Sequence, residues 1–534
     1  MRVGGGLDSG IGDASASEPI SSAPLRRDPH AWHVVLLVSL SSIWEALFLR
    51  NGINVLDEGW ALYAGMQLHM GRTLYTEICW VFPPGHALPA WLGYAFDPGG
   101  VLIPRVIYAA FNVALVVALY ELGRRLMPPR YALLGAALLA IAAPRSHMMH
   151  LLYGYRYSLS VVLVLLAFSR RLDTRKRVWM LMAGALGGVS LFIRVTPALA
   201  VSCGIGVAVL STSRFWRSWL RDWLLYSGGL IAVMAPVLAW FEMSVGLERV
   251  WREVIVHPVA MLQPLPVPDL FVPDAWTRDT ITEAWRPLAL RVFSLLYVGY
   301  LVALLISWAR SLVQRRPFAH SLLLAVVVWG AVFFLRSFGR ADEAHMDTTL
   351  PPICLLLGHF VSVCAARVQG REETESPRLR RFAIAVCLAA FGLWVFLSGS
   401  DLYSRPERFQ GRGTPVKVTQ SLALIERYSK PGDVMLDLTA APMFHALSGR
   451  PGPGWNDVVM EGTFMEPGEE EAFVARLDTS PPALVLWPVR NFDDMESRSI
   501  QSVAPLVSRW VQQRYVPIAT GPKFTLMLPR GRNS

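Results

Sequence analysis

Long apolar runs constrain this chain before anything else does. They fall near residues 33–50, 102–122, 131–146, 157–170, 178–192, 195–211, 224–241, 289–308, 320–336, 349–366 and 382–399. A helix crossing the ~30 Å hydrocarbon of a bilayer needs about 17–25 predominantly apolar residues, and a helix pairs its backbone N–H and C=O groups within itself. The eleven runs meet or approach that length, so the sequence predicts a polytopic α-helical membrane protein. Only 17% of the 534 residues are charged, against 53% hydrophobic. A soluble domain carries about a quarter charged, and the deficit is the surface that faces lipid. A further run, "VFPPGHALPAWLGYAF" from Val81, is apolar too. Its prolines and glycine oppose a regular span, and it is predicted to lie at the interface or to re-enter.

Arginine placement orients the spans. Clusters at Arg26 and Arg27, at Arg124, Arg125 and Arg130, in "RRLDTRKR" from Arg170, at Arg214, Arg217 and Arg221, at Arg310, Arg315 and Arg316, and from Arg367 to Arg381 fall in every second connection. The positive-inside rule then puts the N-terminus in the cytoplasm and the C-terminus outside. The +10 net charge sits in loops beside anionic lipid and not along a nucleic-acid groove, so no nucleic-acid partner is expected. Residues 1–31, rich in Gly, Ser, Ala and Pro with no apolar core, read as a disordered cytoplasmic tail. The five cysteines, Cys79, Cys203, Cys354, Cys364 and Cys387, form no CxxC and no zinc spacing, and imply no disulfide framework.

The chain divides into the tail, a membrane domain over 32–399 with external loops at 51–101 and 242–287, and a soluble domain over 400–534. In the last, "PVKVTQSLALIERYSKPGDVMLDLTAAPMFHALSGR" reads as helix, turn, strand and helix, while "PPALVLWPV" and "FTLMLPR" read as further strands. A small α/β domain on the external face is expected. It has no GxGxxG or Walker pattern, which favours an accessory or acceptor-facing role over a nucleotide site.

Ionisable residues crowd the external rim. Asp57 and Glu58 follow the first run within a few residues; an acidic first helical turn explains a lone pair of this kind. Glu77, His86 and Arg105 share their segment, and such clustering is costly at a membrane unless the groups meet one another, water or substrate. "FLRSFGRADEAHMDTTLPP" gathers Arg336, Arg340, Asp342 and His345 before a span. "APRSHMMHLLYGYRYS" carries His147, His150 and Tyr153. The His147/His150 spacing permits a divalent metal pair on one helical face, but no carboxylate accompanies it; substrate contacts are preferred and the metal stays open. Arg105, Arg194 in "IRVTP", Arg336 and Arg340 are the outward arginines, and a guanidinium grips phosphate with two parallel N–H groups.

The stretches "LDEGWALYAG", "LYTEICWVFPPGHALPAW" and "IPRVIYAAFNVALVVALYELGRRL" resemble the polytopic glycosyltransferases of the GT-C class, in the bacterial branch related to protein O-mannosyltransferases and aminoarabinose transferases. The resemblance implies a fold of about 11 transmembrane helices with a C-terminal external α/β domain. It also implies a polyprenyl-phosphate-linked sugar donor and an inverting transfer at the periplasmic or extracellular side of a bacterial inner membrane. The acceptor would be a lipid, glycan or protein of the cell envelope. Asp57 takes the role of catalytic base, with Glu58 orienting it or touching the acceptor. Glu77 stands where relatives commonly have Asp. Donor or acceptor contacts would come from Glu77, His86, Arg105, His147, His150, Tyr153, Arg194, Arg336, Arg340, Asp342 and His345, the last three in a loop similar to the family's "GR.D..H". Membrane lipids surround the whole.

Two other classes fit a polytopic chain. A lipid-linked-sugar transporter would show internal repeats and mid-span charges, and neither stands out here. An O-antigen-type ligase shares the lipid-linked substrate, but the early Asp-Glu pair and the terminal soluble domain favour the transferase.

Overall fold

The computed structural model describes residues 29–49, 53–142, 157–212, 216–261, 278–316, 318–339, 348–369, 416–491 and 495–531. The first helix, α1 (Pro29–Phe48), leads through a short loop to α2 (Asp57–His69). A single 3-10 turn, Pro84–His86, precedes α3 (Leu88–Phe96), and α4 (Leu102–Gly123), α5 (Pro129–Ala142), α6 (Tyr157–Thr174), α7 (Val178–Ile193), α8 (Val195–Thr212) and α9 (Trp216–Ser244) follow. Next come α10 (Leu247–Trp251), a π-helical turn Arg252–Val256, α11 (His257–Met261), α12 (Arg278–Val313), α13 (Ser321–Phe334), α14 (Arg336–Gly339) and α15 (Leu350–Gln369).

Among the described residues seven helices are long and apolar enough to cross a membrane: α1, α4, α8, α9, α12, α13 and α15. The runs expected at 131–146, as far as Ala142, and at 157–170 and 178–192 lie on α5, α6 and α7; residues 143–146 and the last expected span, 382–399, fall outside the described residues. The Pro-rich run breaks as its composition demands. Its helix α3 has nine residues, too short to span, and exposes Trp91, Leu92 and Phe96 as an interfacial helix does.

The membrane core is packed from Leu, Val, Ala and aromatic side chains of α4 to α8 and α13. Helix α7 lies against α9 at Gly184, where a Cβ would come within 1.9 Å of the Tyr226 carbonyl oxygen. Any side chain there would push the two helices apart. The break between α7 and α8 sits at "IRVTP": Arg194 alone is extended (φ −157°, ψ 127°), and its N–H closes α7 on the Ser190 carbonyl at 2.7 Å.

The C-terminal segment folds as expected into an α/β unit, built from α16 (Val416–Tyr428), β1 (Met435–Asp437), α17 (Met443–Ser448), α18 (Glu469–Thr479), β2 (Leu484–Pro488), α19 (Ile500–Val503), α20 (Pro505–Arg514), β3 (Tyr515–Thr520) and β4 (Phe524–Pro529). The strand order is β1-β2-β4-β3, with β1 and β2 parallel and the other pairs antiparallel. Strand β3 is an addition to the strands read from sequence. It continues directly from α20, contains Pro517 and carries an irregularity in its pairing with β4, so no turn or clean alternation announces it.

Candidate active site

Helix α2 begins at Asp57, with both carboxylates in its first turn, where the helix dipole favours negative charge. Asn54 sets the entry. Its Oδ1 accepts from the N–H groups of Leu56 and Asp57 at 3.0 and 2.9 Å, and its Nδ2 donates to Asp57 Oδ2 at 3.0 Å. Asp57 is half-buried and held by a neutral amide. Glu58 is fully buried, and its Oε2 accepts the Asn54 N–H at 3.4 Å. Arg105, 3% exposed, donates to it through Nε at 2.6 Å and Nη2 at 2.8 Å, and spends Nη1 on the Leu49 carbonyl at 2.8 Å. The start of α2, the end of α1 and the start of α4 are thereby tied at one point. A bidentate guanidinium–carboxylate pair fixes orientation as well as distance.

Beyond α2 the chain forms an aromatic floor. Trp60 Nε1 donates to the Cys79 carbonyl at 2.9 Å, Tyr75 OH to the Phe82 carbonyl at 2.8 Å, and Trp80 and Phe82 meet edge to face. His86, buried, lies between these two rings at 5.9 and 5.0 Å. The Arg194 guanidinium sits 4.2 Å above Phe82 and 5.7 Å from Tyr157, so a buried cation is enclosed by π faces. Tyr157 meets Phe333 edge to face at 6.2 Å, and Arg336 lies 5.5 Å from that same Phe333. Arg194 and Arg336, 142 positions apart by numbering, are thus linked through one run of rings at the ends of α6, α7 and α13. Tyr157 OH and Arg336 Nη1 are buried and make no hydrogen bond among the described residues. Each is a donor of the kind that suits an anion of phosphate type, and each lies beside a ring of this run.

Glu77 behaves differently from its neighbours. It is exposed, and its carboxylate accepts the Thr73 N–H at 2.8 Å, closing its own turn. Arg340, Asp342, His345, His147, His150 and Tyr153 lie outside the described residues. Among the described residues no group of three or more His, Cys, Asp or Glu side chains is placed to hold a metal ion.

Several residues the sequence reading passed over complete the region. Tyr63, six positions along α2 from Asp57, donates its hydroxyl to Asp457 of the C-terminal unit and accepts the Gly452 N–H at 2.7 Å; its ring stacks on His445 at 4.5 Å. Burial pushes the Asp457 carboxyl up to about 7 and the His445 imidazole down to about 4. Met443 N–H donates to the Val55 carbonyl at 3.1 Å, and a Cβ on Gly59 would come within 2.3 Å of Met443 N. The C-terminal unit therefore rests directly on the helix that carries Asp57. A second contact runs through α10 and the π turn: Arg249 Nε donates to the Tyr75 carbonyl at 2.9 Å and its guanidinium stacks 3.8 Å from Trp455, while Arg252 pairs with Glu466 at 2.6 Å. Behind them the buried Glu253 meets His257 Nδ1 at 2.8 Å. The i,i+4 spacing of Glu253 and His257 was the available signal; a π turn, a feature frequent at functional sites, was not readable.

The comparisons agree with this architecture. Residues 83–240 match the family described as dolichyl-phosphate-mannose-protein mannosyltransferase. ArnT from Cupriavidus metallidurans bound to undecaprenyl phosphate superposes with a TM-score of 0.60 at 16% identity, covering 95% of this chain and 99% of that one. ArnT in the apo state gives 0.58 at 15%, covering 94% and 98%. The archaeal oligosaccharyltransferase AglB from Archaeoglobus fulgidus, in complex with an inhibitory peptide and a dolichol-phosphate, gives 0.51 at 14%, covering 95% of this chain and 75% of that one. No curated protein matches the chain by sequence. Polytopic helices, a C-terminal α/β unit seated on α2, and these neighbours together give the chain the fold of the GT-C membrane glycosyltransferases.

Proposed function

We propose that the protein transfers a hexosyl or pentosyl unit from a polyprenyl-phosphate-linked donor to a cell-envelope acceptor, with inversion, at the external face of a bacterial inner membrane. The observation that carries this reading is the run of aromatic rings that links Arg194, Tyr157 and Arg336 at the helix ends. A lipid phosphate needs cations and donors at the membrane rim and an apolar path for its chain. The structural neighbours bound to undecaprenyl phosphate and dolichol-phosphate support the same donor class.

In the proposed reaction Asp57 takes the proton of the acceptor hydroxyl, the freed oxygen pair bonds to the anomeric carbon, and the sugar–phosphate C–O bond breaks with its electrons on the phosphate oxygen. Arg194 and Arg336 offset that charge, with Tyr157 as a neutral donor. Asn54 fixes Asp57 Oδ2, and the Glu58–Arg105 pair anchors the helix on which Asp57 stands. In this assignment Glu58 and Arg105 are positioning residues, because their polar atoms are directed at each other, at the Asn54 N–H and at the Leu49 carbonyl.

Binding of polyprenyl phosphate to the purified protein tests the assignment of Arg194, Tyr157 and Arg336. Loss of one charge-assisted hydrogen bond costs about 1.5–3 kcal/mol, so Arg194→Ala and Arg336→Ala are each expected to weaken binding by roughly tenfold or more. Tyr157→Phe, which removes one oxygen only, is expected to weaken it by a smaller factor. Unchanged affinity in all three, with thermal melting at the wild-type temperature, would sink the assignment.

A further inference from the structure

The described helices leave one crossing to be made. A Cβ on Gly135 of α5 would come within 2.8 Å of the Cys354 carbonyl oxygen, and one on Gly358 of α15 within 2.7 Å of the Tyr131 carbonyl oxygen. Numbers rise along α15 as they fall along α5, so the two are antiparallel. Helix α5 itself turns back from α4 through the short 124–128 connection, so α15 runs with α4 and ends at Gln369 on the side where α4 ends. The C-terminal unit, from Val416, rests on α2 at the side where α4 starts. Residues 370–415 therefore pass from one side to the other, and the apolar run in them long enough to do so is 382–399.

Among the described residues α1, α4 and α6 do not close on one another, and a groove of about 850 Å³ runs between them. It follows α4 from Val106 to Glu121, about 22 Å at 1.5 Å per residue. One leaflet of the ~30 Å hydrocarbon is about 15 Å deep, so a lipid tail fills only part of that length, whereas a spanning helix matches it. The α4 wall carries small side chains at helical spacing, Ala110, Ala114 and Ala118. In lipid, close backbone approach over small residues is what holds two spans together.

The run 382–399 offers a complementary face. On a helix Ala385, Ala389 and Gly392 recur at i, i+4 and i+7, and Trp394 falls on the opposite side. With Phe382 level with Glu121 in an antiparallel pair, Ala385 comes level with Ala118, Ala389 with Ala114, and Gly392 within one residue of Ala110. The same register brings Arg380 and Arg381 to Glu121, whose carboxylate is partly exposed and meets Arg124 at 3.3 Å. We propose that residues 382–399 cross as a helix seated in the α1/α4/α6 groove. At about 3.3 Å per residue the connections 370–381 and 400–415 reach roughly 40 and 50 Å, enough to enter and leave it. The groove ends at Leu49 and Val106, beside the Arg105 contact to Leu49. The seated helix braces α1 against α4 next to the anchor of α2, and hands the chain on to the unit that rests on α2.

Cysteine pairs in the full-length protein in membranes test the seating, in a background whose native cysteines are replaced by alanine and whose melting temperature matches wild type. Ala114→Cys with Ala389→Cys, and Ala118→Cys with Ala385→Cys, are expected to form disulfides on oxidation, read by mass spectrometry of the linked peptides. Ile231→Cys on α9 and Val298→Cys on α12, at positions exposed on other faces, are expected to form none with Ala389→Cys. As a single variant, Ala114→Cys should be labelled far more slowly by a membrane-soluble maleimide than Val298→Cys. A diazirine amino acid at position 389 of the otherwise wild-type chain reads the same contact if the cysteine-free protein does not fold, and should mark α4. Links from position 389 to α9 or α12 with none to α4, or no link at all, would overturn the proposal. So would equal labelling at Ala114→Cys and Val298→Cys, the result for a groove filled by bilayer lipid alone.

Discussion

Removing either partner of the Glu58–Arg105 pair should unfold the protein more readily than any other single change at the site. The two side chains are 0% and 4% exposed, the contact is bidentate at 2.6 and 2.8 Å, and the guanidinium also holds the end of α1 through Leu49. Deleting one member leaves an uncompensated charge in a dry site, at about 3–5 kcal/mol, whereas replacing both with apolar residues of similar volume is often close to neutral. At about 2 °C per kcal/mol for a large chain, Glu58→Leu or Arg105→Met is expected to lower the melting temperature by roughly 6–10 °C. The double variant should recover most of that loss. The assay is thermal melting in detergent by tryptophan emission at one scan rate, with all four proteins compared as a double-mutant cycle. Additive losses, or single variants within about 1 °C of wild type, would refute the claim that the pair is a buried structural anchor.

Gly59→Ala should displace the C-terminal unit, because the new Cβ would come within 2.3 Å of Met443 N; protease cleavage between the membrane helices and the unit should accelerate at unchanged membrane-domain melting. The Asp457 carboxyl is pushed up to about 7 from an ordinary 3.8, so its contribution to docking is complete below about pH 3.8 and is lost as pH rises through about 7. His445, lowered to about 4 from 6.5, acts the other way, losing stability as pH falls from 6.5 toward 4. The His445 part cancels in the difference between wild type and Asp457→Asn, so that difference should decline from pH 4 to pH 8 by up to ~4 kcal/mol; a flat difference would contradict the buried-acid assignment. Tyr63→Phe, which deletes the hydroxyl between Asp457 and Gly452, should cost about 1–3 kcal/mol of docking, measured by the same proteolysis.

What was legible in the sequence is what depends on one dimension. Hydropathy and arginine placement are local sums, so the described spans fall where the runs predicted, and "IRVTP" announced the break at Arg194 because Pro197 and a charge interrupt an apolar run. The first turn of α2 was readable from Asp57 and Glu58 themselves. Partnership was not: Glu58 meets Arg105 47 positions away and Tyr63 meets Asp457 394 positions away, and single-chain periodicity carries no information about such pairs. Tyr157 was not legible because any tyrosine hydroxyl can donate, and only the fold buries this one beside a cation. The seating of the C-terminal unit on α2 rests on a glycine, Gly59, whose meaning exists only in three dimensions.

Release of free polyprenyl phosphate from a polyprenyl-monophosphate sugar, by purified protein in the presence of envelope acceptors, tests the proposed reaction most directly. Wild-type protein should release it in step with acceptor glycosylation, and Asp57→Asn should slow both by about 100- to 10,000-fold while donor binding and melting temperature hold. A water-soluble nucleotide sugar should give nothing. Turnover on the nucleotide sugar, or near-normal turnover by folded Asp57→Asn, would contradict the lipid-phosphate transfer with Asp57 as its base.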